Sequence, residues 1–111
     1  MSNQRDHFRL EYPAADRPTI LVQGTLYAVL DLSEKGVKFA VPKQFKPPPN
    51  KKIKATITFK DGKKIEIAGS VLRILEGKDD NQCVMELSEG VPLPKMMEEQ
   101  RILLKKYRPG G

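Results

Sequence analysis

An alternation of apolar and polar residues with a period of two is the feature that most constrains how this chain folds. In the segment KIKATITF, residues 52–59, the apolar side chains fall at every second position: Ile53, Ala55, Ile57 and Phe59. That period places them on one face of a β-strand and the polar side chains on the other. Asp61-Gly62 follows as a hairpin turn signal, and the alternation then resumes at Ile65. The pattern predicts antiparallel hairpins.

The same pattern recurs in shorter runs along most of the chain. Residues 20–30 are apolar and β-branched around Gly24, which is consistent with two strands or with one bent strand. Further alternating runs cover 37–41, 65–71 and 83–87. About six short strands separated by turn residues predict a barrel or a sandwich over residues 13–91, because a short antiparallel sheet must close or pack to hide its edges.

After Val91 the apolar residues change to a helical spacing. Pro94 suits a first helical turn, and the following residues recur at intervals of three and four: Met96, Gln100, Leu103, Leu104 and Tyr107. We therefore predict a helix over residues 92–108, which Pro109 ends. The expected role of this helix is to cover one mouth of the barrel, and the alternative is that it binds a partner.

Size and composition indicate one globular domain. The chain has 111 residues, of which 39% are hydrophobic and 31% charged, so the composition is not that of a disordered protein. The single Cys83 cannot form an internal disulfide, and its position on the apolar face of a strand predicts a core residue. No apolar run approaches the length of about 20 residues that a membrane helix needs. We expect a cytoplasmic protein, either a monomer or a weak dimer.

The charge is unevenly distributed. Twenty Lys and Arg against fourteen Asp and Glu give a formal net charge of +6. Between Lys35 and Lys64 the chain carries ten Lys and a single acid, Asp61. A field of that sign favours an anionic partner such as a nucleotide, a nucleic acid, an acidic protein or a membrane surface. The alternative is a solvated face that keeps a small β-domain soluble and its edge strands unpaired.

The sequence offers few groups for catalysis. His7 is the single histidine, and no spacing of carboxylates around it indicates a metal site. The chain contains no GxSxG, P-loop or CxxC motif. We therefore expect neither an enzyme nor a bound cofactor or metal.

Two arginines near the N-terminus form the first candidate binding group. Arg5 and Arg9 are four residues apart, so an extended chain would place them on one side, about 13 Å apart. The planar guanidinium group bonds bidentately to phosphate oxygens or to the O6/N7 edge of guanine, and it stacks on bases. The alternative is an ordinary basic N-terminal arm.

A second candidate group follows an apolar strand, in Asp31-Leu32-Ser33-Glu34-Lys35-Gly36. Asp31 and Ser33 share one face of the strand while Leu32 points inward. A carboxylate there can accept hydrogen bonds from the ring N–H and amino group of guanine, and a hydroxyl can donate to phosphate. We expect Gly36 to allow a tight turn with positive φ and a close approach of the backbone to a ligand. The alternative is an ordinary strand–turn–strand.

In this order and at this separation the two groups resemble the signature of the PilZ family of cyclic di-GMP receptors, RxxxR followed by [D/N]xSxxG. The residues that carry the resemblance are Arg5, Arg9, Asp31, Ser33 and Gly36. Gly69-Ser70-Val71-Leu72-Arg73 is similar to the GxVxR strand of that family, and Gln82 to Leu87 lie where it has its final strand. The resemblance covers nearly the whole chain and implies an all-β fold, a six-stranded antiparallel barrel with a C-terminal helix.

The resemblance also implies a ligand and roles for the residues that match. Arg5 and Arg9 would bind the phosphates and guanine faces of cyclic di-GMP, Asp31 and Ser33 would bind a guanine edge, and Gly36 would let the backbone approach. Three further residues are candidates for secondary contacts: Gln4, Lys35 and Arg73. Lys35 would either reach a phosphate or crowd the site. Residues 1–12 would form a flexible basic arm that becomes ordered as the ligand bridges arm and barrel.

The function that follows is a receptor module that signals through protein–protein contact, in the control of motility, adhesion or biofilm formation. The sequence does not identify the downstream partner. Two alternatives stay open. A small basic β-barrel could bind single-stranded nucleic acid, although 6% aromatic residues and no Trp argue against a stacking surface. The other alternative is a PilZ-like adaptor that binds no nucleotide.

Overall fold

The fold is a closed antiparallel β-barrel with one helix, seen in a computed structural model that describes residues 9–47 and 51–107. A short 3-10 turn, Ala14–Asp16, lies between the first two strands. The strands are β1 (Arg9–Glu11), β2 (Thr19–Val22), β3 (Thr25–Ser33), β4 (Gly36–Val41), β5 (Ile53–Thr58), β6 (Lys64–Leu75) and β7 (Asn81–Glu89), and the helix is α1 (Leu93–Lys106).

Six of these strands form the barrel. Their order is β3-β2-β5-β6-β7-β4, and pairing between β3 and β4 closes the ring. This confirms the predicted six-stranded barrel with its C-terminal helix. The short β1 is an addition that pairs with the far end of β3, beyond the part that β2 covers. Residues 9–11, which the sequence placed in an N-terminal arm, therefore form a strand, and residues 1–8 lie outside the described residues.

The barrel core consists of the apolar sets that the period-two pattern predicts. Six core side chains are fully buried, with 0% exposure: Ile20, Val29, Phe39, Ile57, Cys83 and Met96. Full burial of a large apolar side chain stabilises a fold by about 1.5–3 kcal/mol. Cys83 is a core residue as predicted, and burial raises the pKa of its thiol to about 11.

Two hairpin turns fix the register of the strands around β3. Residues 20–30 form two strands, because Gln23 and Gly24 both adopt positive φ, 50° and 84°, as a two-residue turn that fits the twist of a hairpin requires. The next turn, Glu34 and Lys35, pairs Ser33 with Gly36. The register shifts by one residue between Val29 and Asp31, so this end of β3 carries an irregularity.

Helix α1 packs on the barrel through its first two turns. Met96 joins the barrel core, and the buried Lys95 ammonium lies 4.6 Å from the centre of the Phe59 ring. Lys95 Nζ contacts three carboxylates, of Asp61 at 2.7 Å, Glu98 at 2.9 Å and Glu99 at 3.4 Å. Burial alone would lower the pKa of Lys95, but these carboxylates outweigh it and the pKa is raised. The charged group is therefore compensated where it is buried.

Residues 9–16 connect helix α1 to strand β3 of the barrel, and we call this segment the strap. Near its middle the buried Tyr12 hydroxyl donates to Glu99 Oε1 at 2.8 Å, and its backbone N–H donates to the Leu30 carbonyl. At its end Asp16 accepts hydrogen bonds from Lys106 Nζ and from the Tyr107 hydroxyl. The strap thus contacts α1 both near its middle and at its last turn.

Candidate functional site

The register of the β3–β4 hairpin brings the polar residues of the second motif to one outer surface. Asp31 and Ser33 point outward while Leu32, between them, is 1% exposed, as the alternation predicts. On the other edge of β3, Arg9 pairs with Ser33. Arg9 therefore meets Asp31 on the same face, diagonally across two adjacent strands.

These side chains line a cleft of about 220 Å³ on the outer surface of the barrel. The lining combines charged, hydroxyl and apolar groups, namely Arg9, Asp31, Leu32, Ser33, Gly36, Val37, Lys38, Arg73, Leu75 and Val84. It thus contains every described residue that the sequence proposes for the ligand, except Lys35. A small number of polar groups converging on an apolar floor is the usual form of a small-molecule site.

A shared carboxylate oxygen dominates the electrostatics of the cleft. Arg9 Nη2 lies 2.7 Å from Asp31 Oδ2, and Lys38 Nζ lies 3.1 Å from the same oxygen. The Asp31 side chain is 15% exposed, that of Lys38 24% and that of Arg9 45%. The hydrogen bond from Arg9 to Asp31, together with their charge attraction, raises the pKa of Arg9. The cleft therefore carries positive charge around a single held carboxylate.

Arg73 enters the cleft from the opposite side, through long-range strand pairing. Lys38 of β4 and Arg73 of β6 both pair with Val84 of β7, so their side chains flank it on the outer surface. Upstream in β6, Gly69 lies against β7 so closely that a Cβ on it would come within 2.1 Å of the Glu86 carbonyl oxygen. The register between β6 and β7 shifts at Gly69 and again before Arg73, and a glycine at position 69 lets the two strands come this close.

The prediction of a positive φ at Gly36 is wrong. Among the described residues, positive φ occurs at Gln23, Gly24 and Gly62. Gly36 begins β4 because Glu34 and Lys35 make the turn between the strands, so no left-handed conformation is required of it. A Cβ at Gly36 would lie 3.4 Å from Ser33 Oγ, an ordinary contact. What the glycine provides is space in the cleft.

Lys35 lies away from the other candidates. Its side chain lines a second cleft, of about 700 Å³, with Lys51, Lys52 and residues of β6 and β7. Lys35 and Gly36 are neighbours in sequence but line different clefts, because Lys35 is at the tip of the hairpin while Gly36 is already in β4. Two other candidates, Gln4 and Arg5, lie outside the described residues.

The sequence analysis missed Lys38 and the apolar floor of the cleft. Lys38 was detectable, because a two-residue turn at Glu34 and Lys35 pairs residue 31 with residue 38. Leu75 and Val84 had no such signal, since their place depends on how β6 and β7 pair around the barrel.

The described part of the chain contains neither a cluster of metal-binding side chains nor a helix that could span a membrane. Residues 9–47 and 51–107 hold no group of three or more His, Cys, Asp or Glu side chains placed to bind a metal ion. Within the same ranges, no helix has both the length and the apolarity to cross a membrane.

A closed six-stranded barrel with a C-terminal helix and a mixed-charge cleft at its hairpin motif defines a class of small β-barrel domains. The chain belongs to the PilZ domain family, whose model matches residues 3–107. No curated protein matches the sequence closely enough to count as a relative.

Solved structures share this fold at low sequence identity. The inhibitor of motility MotI/DgrA of Bacillus subtilis superposes with a TM-score of 0.75 at 15% identity over 96% of this chain. The PilZ domain of YcgR from Escherichia coli, solved with c-di-GMP, gives 0.70 at 12% identity over 96% of this chain and 99% of its own. A longer structure of YcgR from Escherichia coli, in complex with c-di-GMP, matches 95% of this chain with a TM-score of 0.60 at 14% identity. The chain spans about half the length of the larger proteins, 55% of the MotI/DgrA chain and 46% of the longer YcgR chain.

Proposed function

We propose that this protein is a receptor for cyclic di-GMP that binds the dinucleotide in the cleft between β1 and the β3–β4 hairpin. The observation that carries the proposal is the convergence of Arg9, Asp31 and Ser33, from two motifs 22 residues apart, in one cleft of a PilZ domain. The similar PilZ domain of YcgR was solved with that ligand, which supports the choice.

The side chains of the cleft can bind both the phosphates and the guanine bases of the ligand. Cyclic di-GMP carries two phosphate charges, and the guanidinium of Arg9, together with that of Arg5 outside the described residues, would bond them bidentately. Asp31 would accept from the N–H groups of a guanine edge while Ser33 donates to a phosphate. Leu75 and Val84 would support the flat face of a base. Arg73 is a candidate for a further phosphate contact.

Calorimetric titration with cyclic di-GMP tests the proposal. We expect saturable binding, with GMP as the control that carries the same base and a single phosphate. A folded sample that fails to bind up to about 100 μM would contradict the receptor function and favour an adaptor that binds no nucleotide. Binding of a plain oligonucleotide that falls steeply with salt would instead favour the nucleic-acid alternative.

The output of such a receptor would be a change in a protein–protein contact. We propose that the ligand orders the N-terminal segment against the cleft and so presents a new surface, in the control of motility, adhesion or biofilm formation. Similarity to an inhibitor of motility supports the first of these processes. Pull-down of partners with and without cyclic di-GMP, compared between the parent and a variant that does not bind it, tests this output.

A further inference from the structure

We propose that Lys38 is a positioning residue for the ligand: it holds the Asp31 carboxylate in place when Arg9 leaves that carboxylate for a phosphate. The inference rests on the proposed function and assigns a role to a residue outside both motifs. It begins from one observation, that Arg9 and Lys38 both contact Asp31 Oδ2, at 2.7 and 3.1 Å.

A phosphate that bonds Arg9 bidentately through an edge that includes Nη2 competes with Asp31 for that nitrogen, because Nη2 already donates to Asp31 Oδ2. In our proposal the phosphate takes this edge, so that Arg9 exchanges the carboxylate for the phosphate when the ligand binds. An exchange of this kind is unfavourable if it leaves behind a carboxylate that is mostly out of water and has no counter-ion.

Lys38 removes that penalty. The Asp31 side chain is 15% exposed, so a cation that stays beside it offsets the cost of keeping that charge away from water. Lys38 is placed to stay, because it pairs with Asp31 across the β3–β4 hairpin and is flanked by β7 on its other side. Arg9 is the more exposed of the two cations and lies in a strand of three residues. Arg9, the less constrained cation, would therefore move to the phosphate, and Lys38 would remain beside Asp31.

The shared oxygen also leaves the carboxylate usable. The shortest contact of both cations is with Oδ2, and Oδ1 of Asp31 makes no hydrogen bond within residues 9–47 and 51–107. With Lys38 on Oδ2, Oδ1 can face the cleft and accept from a guanine N–H group. Lys38 would thus fix both the charge and the orientation of Asp31 without touching the ligand.

A double-mutant cycle with cyclic di-GMP separates this role from a direct contact. Lys38→Met should weaken binding about tenfold, and Lys38→Arg should restore it to within about threefold of the parent. In an Asp31→Asn background, where there is no charge to hold, Lys38→Met should change the affinity less than about twofold. An undiminished loss in that background would overturn the proposal, because Lys38 would then act on the ligand itself. Unchanged binding by Lys38→Met would overturn it too.

A measurement without ligand distinguishes failure of this proposal from failure of the receptor function. With Lys38 replaced by Met, Asp31 has Arg9 as its remaining cation, so the guanidinium protons of Arg9 should exchange with water more slowly in NMR spectra. Asp31→Asn should speed that exchange. If the parent protein does not bind cyclic di-GMP, the proposed receptor function is wrong. Exchange rates that do not change in Lys38→Met would show that the two cations do not share Asp31, whatever the ligand.

Discussion

At the scale of single residues, Arg9 combines exposure with a specific partner. Nearly half of its side chain is open to solvent, so it contributes little packing to the fold, but its guanidinium is held in the cleft by Asp31. Because the Arg9 side of this ion pair is open to solvent, the pair adds at most about 1 kcal/mol to stability. The role that we propose for Arg9 is therefore in binding, where the same group would contact a phosphate.

Replacing Arg9 by Ala should separate binding from folding. We expect a loss of at least about 2 kcal/mol of cyclic di-GMP binding, or about thirtyfold, because one charge-assisted bidentate contact disappears. Calorimetry measures the binding, and urea unfolding should show nearly unchanged stability. Arg101→Ala, on the exposed side of α1, is the control with the same loss of charge. Equal affinities of Arg9→Ala and the parent would contradict the assignment of the site.

Local rules were enough for some residues of the cleft and not for others. The spacing of Asp31, Leu32 and Ser33 fixes which side chains face out, since neighbours on a strand alternate. The two-residue turn adds Lys38 by the same kind of reasoning. Arg73 was suggested by resemblance to a family motif, and its place opposite Lys38 depends on the pairing of β6, β7 and β4 around the barrel. Sequence periodicity does not specify which distant strands become neighbours.

At the scale of elements, the contact between the strap and α1 is a buried polar network. Tyr12 and Glu99 are 5% and 6% exposed, and the hydroxyl of one donates to the carboxylate of the other. Burial, reinforced by the hydrogen bond to Glu99, raises the pKa of Tyr12 well above its ordinary range. The helical pattern predicted α1 almost to its ends, but not this network, because residues 12 and 99 are 87 positions apart.

Removing the Tyr12 hydroxyl should destabilise the fold. Tyr12→Phe leaves a buried carboxylate without one of its donors, which costs about 1–3 kcal/mol. Urea unfolding measures the change. Tyr27→Phe is a matched control, because Tyr27 is half-buried and its hydroxyl makes no hydrogen bond within the residues that the structure describes. A loss in Tyr12→Phe no larger than in the control would show that the bond does not hold the helix.

Acid should weaken the docking of α1 through two carboxylates. Hydrogen bonds from Lys95 lower the pKa of Asp61 and of Glu98 below their ordinary values of 3.8 and 4.5. A carboxyl group with a depressed pKa in the folded state contributes stability that is present above its ordinary pKa and is lost as the pH falls through the folded value. Lys95, with a raised pKa, stays charged throughout this range.

The fall in unfolding free energy below about pH 4.5 should therefore be shallower in Lys95→Met than in the parent. Removing the ammonium removes the largest cause of both lowered pKa values and leaves the hydrogen bonds from Lys63 to each carboxylate. Urea unfolding at a series of pH values between neutral and acid measures the slope. Parallel curves for the two proteins would contradict a role of Lys95 in this acid dependence.

At the scale of the whole molecule, the strap connects the cleft to the helix. Its first residue, Arg9, lines the cleft, and its later residues contact α1 at Glu99, near the middle of the helix, and at its last turn. A ligand that bound Arg9 would also stabilise β1 against local opening, and the contacts at Tyr12 and Asp16 would extend that effect to the helix. The antiparallel pair formed by β2 and β5 lies outside this connection.

Hydrogen exchange with and without cyclic di-GMP should map this connection. We expect slower exchange in the strap and in α1, and a smaller change in β5. GMP at the same concentration serves as the control ligand. Protection confined to the β3–β4 hairpin, with α1 unchanged, would show that the strap does not carry the effect of the ligand to the helix.

The strap also limits how this chain can diverge. Arg9 and Asp16 are held at two places whose separation is set by the barrel and by α1, so the number of residues between them must match that distance. Substitutions at exposed positions of the strap do not change this length. An insertion or deletion would displace either Arg9 from the cleft or α1 from its contacts with the strap. Homologues that keep both features should vary here in residue type and not in length.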